Sequence, residues 1–203
     1  MQTTSYTGIA GSRAISRQGK TGWLTYTGLS LLFAGFTGLC AQLRFYLPFT
    51  PVPVTGQVFA VLLSGIILGK KYGPLSQVFY LLLGMAGIPW FVIGPIGPTG
   101  GYIVGFITAP FLIGELLERA RLRQNDSHTT GRKNDVHITV SYVKTLGIVF
   151  GGVVLIYVLG LIQFSIFTQT GLIRSIQYAV LPFLPFDAAK AVLAAAAARA
   201  FVR

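Results

Sequence analysis

Apolar runs of about twenty residues recur along this chain from Trp23 onward, separated by short segments that carry most of the charge. A helix of roughly 20 residues crosses the ~30 Å hydrocarbon core of a bilayer. In that solvent each backbone N–H and C=O must find its partner inside the protein, which a helix provides by itself. Only 10% of the residues are charged, against about 25% in soluble domains, and mean hydropathy is +0.68. The fold class is therefore all-α, a polytopic membrane protein.

Six transmembrane helices are expected, at Trp23–Leu43, 54–69, 74–93, 101–118, 145–167 and 187–202. The second and last are short for a full crossing, as in chains that fold back around a cavity within the membrane. Residues 1–22 form a polar basic tail, and residues 23–203 form one six-helix membrane domain. The tail is rich in Ser and Thr, carries Arg13, Arg17 and Lys20, and lacks acids. An organelle transit peptide has similar composition, but a cytoplasmic tail is the simpler reading. Trp23–Leu43 is too long for a signal-peptide core and has no evident cleavage site. Residues 121–139 read as a polar loop, whose His128 and His137 lack a third ligand at metal spacing. Cys40 is the single cysteine, so neither a disulfide framework nor a thiolate metal cluster is expected.

Thirteen basic residues, Lys70, Lys71, Arg119, Arg121 and Arg123 among them, flank one set of helix ends, against Arg44 and Arg174 at the other. That bias places both termini in the cytoplasm, giving a multi-pass protein of the cell membrane. The net charge of +11 is distributed around the apolar runs instead of forming one patch. It therefore points to topology and anionic lipid, with no nucleic acid partner.

This topology leaves Asp187 as the sole acid on the outer half, with Lys190 three residues later on the same helix face. Charges at the mouth of a membrane helix are costly and commonly mark ligand or ion sites. As a structural alternative, Asp187 caps a helix and Lys190 reaches for the interface. Eight of the ten prolines lie in or beside the three outer connections, LPFTPVPVTGQ, GIPWFVIGPIGPTGGY and LPFLPFDAAK. Proline stiffens loops by fixing φ, which suits a preformed pocket. Trp90, Phe91, Tyr102, Phe183 and Phe186 offer walls, and Thr55, Gln57 and Thr99 offer neutral hydrogen bonds. The implied ligand is small, partly apolar, and polar at one end or both.

The stretches 47–57, 69–89, 97–106 and 182–195 resemble the BioY family, the biotin-specific substrate-binding (S) components of energy-coupling factor (ECF) vitamin transporters. The most specific pieces are GPTGGY (97–102) and the Asp-x-x-Lys that follows a Leu-Pro pair. The resemblance implies an outward-facing biotin pocket in which Asp187 and Lys190 contact the ligand. It places Thr99, Gly100, Gly101 and Tyr102 along the pocket, with Tyr80 and Gln57 near it. Two departures stand out: Phe186 occupies a position where the family usually has glycine, and the glycine-rich stretch before GPTGGY is shorter.

S components of this kind join a membrane coupling protein and two ATPases. This chain has no ATPase motif of its own, because GIILGKK (65–71) lacks the glycine spacing and the Ser/Thr of a P-loop. Ala34 and Gly38 form a small-xxx-small pair that could dock the coupling protein or serve internal packing; Gly147 and Gly151 form another. An enzyme would need a nucleophile and base, or a metal set, at membrane depth, and one Asp and one Lys do not supply it. No cofactor is expected. The alternatives within transport are a solitary biotin transporter and an S component for another small vitamin.

Overall fold

The computed structural model describes residues 20–50, 52–89, 97–127 and 140–202. The helices are α1 (Lys20–Gln42), α2 (Gln57–Met85), α3 (Gly100–Ser127), α4 (Tyr142–Thr168), α5 (Leu172–Ala179) and α6 (Leu184–Val202). Four of them, α1 to α4, are long and apolar enough to cross a membrane, and α5 with α6 passes as a bent pair. Of the expected features, the basic tail up to residue 19, Trp90, Phe91 and both histidines lie outside the described residues.

Helix α2 is two limbs joined at a corner. Gly69 has φ 74° and ψ −170°, outside helical space and in a region glycine enters without a Cβ clash. A Cβ on Gly73 would lie 3.2 Å from the Cα of Gly65. In a straight helix eight residues separate atoms by about 12 Å, so the second limb runs back along the first. The Gln57–Tyr80 hydrogen bond, 23 residues apart in sequence, confirms the reversal. The limbs correspond to the expected second and third spans, so α1, the two limbs, α3, α4 and α6 make six helical segments. Pro74, the fifth residue of the returning limb, lacks the N–H that would otherwise meet the Lys70 carbonyl.

Helix α3 is central, packed on α2 at one side and α4 at the other. Glycines let the backbones close in, as is common between membrane helices. A Cβ on Gly114 would sit 2.2 Å from the Lys70 nitrogen, and one on Gly105 would sit 2.8 Å from the Ile156 Cα. Leu62, Ile66, Ile103, Phe106, Ile113 and Ile156 fill the core between these helices.

Ser30 Oγ donates to the Tyr72 carbonyl at 3.0 Å, which sets the first half of α1 beside the corner. Arg199, near the end of α6, lies 5.0 Å above the ring of Tyr142 at the start of α4. Both ends of the described chain are therefore at the corner end of the bundle. Lys70 bonds Glu115 at 2.8 Å and Glu118 at 3.2 Å there, and Arg119 bonds Glu115 at 2.7 Å. The glycine-lysine sequence of GIILGKK thus forms a corner and an ion cluster.

Three details depart from the sequence expectation. Helix α3 continues to Ser127, through residues read as loop, because Arg, Leu and Gln favour helix once outside the apolar core. The connection between α4 and the last span contains α5, bent 56° from α6. An antiparallel ribbon of β1 (Arg44–Phe45) and β2 (Val54–Thr55) interrupts an otherwise all-α chain. It is anchored by Gly56, whose N–H reaches the carbonyls of Cys40 at 3.1 Å and Leu43 at 2.9 Å.

Candidate ligand-binding site

A cavity of about 120 Å³ opens at the end of the bundle opposite the corner. One water needs roughly 10–15 Å³ on this scale, so the space admits a small organic molecule. It is bounded by residues 52–58, the first turns of α3, Tyr157 on α4, Phe183 and the first turns of α6. Val52, Val58, Ile103, Phe106 and Phe183 make its walls apolar.

Asp187 sets the polar end. It lies in the first turn of α6, and its own N–H donates to the Phe183 carbonyl at 2.9 Å. It is therefore inside the helix, not the capping residue. The residue is 5% exposed. Tyr157 donates its hydroxyl to Oδ2 at 2.7 Å, and the Lys190 ammonium donates to Oδ1 at 2.6 Å. A buried carboxylate is tolerable when paired and hydrogen-bonded in this way, and the N-terminal end of the α6 dipole adds support. Lys190 does not turn away toward the interface; its side chain lines the cavity.

Tyr102 lines the cavity and donates to the Ala179 carbonyl, tying α3 to the end of α5. Thr99 and Gln57 also face the space. The Gln57 amide donates to the Tyr80 hydroxyl at 2.6 Å, so Tyr80, fully buried, lies behind Gln57 and off the cavity lining. Gly100 and Gly101 are likewise absent from the lining. A Cβ on Gly101 would fall 2.1 Å from the Leu159 carbonyl oxygen, which makes this glycine a contact between α3 and α4. Gln163 holds the preceding turn by donating to the Gly97 carbonyl at 2.9 Å.

Two further expectations change. Phe186 points away from the cavity, edge-on to Phe45 at 5.4 Å, because Asp187 takes the inward side of the turn. The bulky side chain is thus accommodated outside the cavity. Ala34 and Gly38 are buried against this protein's own helices, the packing alternative, so neither presents an open surface. Tyr157 was missed in the sequence. A lone hydroxyl within the aliphatic run of α4, needing a partner in an apolar setting, was the available signal.

The cavity offers a carboxylate and an ammonium at one end, neutral donors and acceptors along one side, and apolar walls. This defines a polytopic helical membrane protein that holds a small amphipathic solute. The chain belongs to the BioY family, whose model matches residues 16–203. The biotin transporter BioY of Thermotoga maritima is 37% identical over 155 residues, covering 73% of this chain and 80% of that protein. A probable biotin transporter BioY of Pyrococcus horikoshii is 34% identical over 172 residues, covering 82% and 89%. The crystal structure of the S-component for biotin from an ECF-type ABC transporter superposes with a TM-score of 0.74 at 26% identity, covering 90% of this chain and 93% of that one.

Proposed function

We propose that this protein captures biotin at the outer face of the cell membrane and delivers it inward as the substrate-binding component of an uptake transporter. The observation that carries the reading is the Asp187 carboxylate, held between Tyr157 and Lys190 at the head of an apolar cavity. Biotin combines adjacent N–H groups on a cyclic urea, an apolar ring and chain, and a terminal carboxylate. Open acceptor positions on Asp187, the Lys190 ammonium and the apolar walls complement those groups. Gln57, Thr99 and Tyr102 add neutral contacts, while Gly100, Gly101 and Tyr80 support the wall from behind. Both termini face the cytoplasm in this reading, and ATP-driven uptake requires a coupling protein and two ATPase subunits.

Biotin binding by the purified protein, with Asp187→Asn and Lys190→Ala beside the wild type, tests the proposal. Each substitution is expected to weaken binding by roughly 1–3 kcal/mol, since a buried polar group loses its partner. Unchanged affinity in both variants removes the pair from the site, and no binding by the wild type removes biotin. Uptake of labelled biotin in cells with and without ATPase modules separates an S component from a solitary transporter.

A further inference from the structure

The eight-residue helix α5 divides into three sectors around its axis. At 100° per residue, Ser175 and Ala179 share one side and are buried against the protein. Leu172, Ile176 and Ile173 occupy the adjoining arc, and Ile173 is 75% exposed. Gln177, Arg174 and Tyr178 complete the circle on the exposed polar side. The apolar arc is therefore wider than the protein covers. A helix in water has no use for such an uncovered arc, whereas one at a membrane boundary buries it in acyl chains and keeps its polar side wet.

Neighbouring surfaces continue that arc. Val154, Val158, Ile162 and Ile166 form an exposed stripe at four-residue spacing along α4, the side a spanning helix turns to lipid. The chain then passes directly into α5, where Leu172 and Ile173 are again exposed. On the other flank, Tyr46 and Phe49 are exposed beside the ribbon. The Thr50 hydroxyl donates to the Tyr178 carbonyl at 2.7 Å, fastening that loop to α5. Arg174 stands in the middle of the polar sector, and its long side chain suits contact with lipid phosphates.

We infer that α5 and the loop at residues 45–50 form a collar seated in the lipid headgroup boundary at the cavity end of the protein. The collar bears on the site, because the Tyr178 and Ala179 carbonyls at the end of α5 are the acceptors for Thr50 and for the cavity residue Tyr102. One wall of the cavity is thereby supported by the membrane surface.

Site-directed spin labelling tests this in the full-length protein, reconstituted in phosphatidylcholine/phosphatidylglycerol vesicles with Cys40→Ala as background. A label at Ile173→Cys is expected to collide more with dissolved oxygen than with a water-soluble nickel chelate, and one at Arg174→Cys, about 100° further round the helix, should show the reverse. Equal nickel accessibility at the two positions overturns the inference, since α5 then stands in water. Shielding of the Ile173 label from both reagents, or spin–spin broadening between copies, also overturns it, in favour of a protein partner or a second copy. A label at Phe49→Cys supplies the same reading from the other flank if the Ile173 variant folds poorly.

Discussion

Asp187 accepts one hydrogen bond on each carboxylate oxygen from its own chain. An ionised carboxylate has about four lone-pair directions, so roughly half its accepting capacity remains for a ligand. Tyr157 fixes the orientation of that capacity while Lys190 balances the charge. Tyr157→Phe is expected to weaken biotin binding about five- to tenfold, equivalent to about 1–1.4 kcal/mol, with the gel-filtration profile unchanged. Titration of the purified variant checks this, and wild-type affinity would assign Tyr157 to packing alone. Asp187 and Lys190 were legible in the sequence because charge stands out in an apolar run. Tyr157 was not, because its role arises only where α4 faces α6, and that pairing is not written in either helix. Phe186 was misread as a wall because the phase of α6 about its axis decides which of two neighbouring residues points inward.

The helices meet through glycine at some positions and leave it in open space at others, a difference invisible to sequence spacing. Gly114 touches the backbone at the α2 corner, whereas Gly147 on α4 has nothing within 4 Å of its missing Cβ. Gly114→Ala is expected to destabilise the protein by about 1–3 kcal/mol through overpacking against a backbone that cannot yield. Gly147→Ala is expected to be neutral or slightly stabilising, since alanine is the better helix former. Thermal unfolding in one detergent separates the two, and an equal loss of stability in both would contradict the packing described. Span positions were legible from apolar length, and the break at residues 69–71 from its charges. Helix α5 was not, because eight residues containing Arg174 and Gln177 carry too little apolar length to distinguish them from a loop.

At the scale of the molecule, charge separates the two ends. Lys70, Glu115, Glu118 and Arg119 cluster at the corner end, and among the described residues Asp187 is the acid at the cavity end. The proposed orientation makes the cavity end extracellular. A membrane-impermeant thiol reagent should then label Arg44→Cys in intact cells and Arg123→Cys only after permeabilisation, both in a Cys40→Ala background. The opposite pattern would invert the protein. The two limbs of α2, residues 57–68 and 70–85, rise only about 18 and 24 Å at 1.5 Å per residue, against a hydrocarbon core of ~30 Å. Neither limb is long enough to be threaded by itself as a stop-transfer segment during synthesis. In the proposed orientation the corner at Gly69 would therefore make them a single unit of biogenesis, a helical hairpin entering the bilayer as a pair with its two lysines kept on the cytoplasmic side.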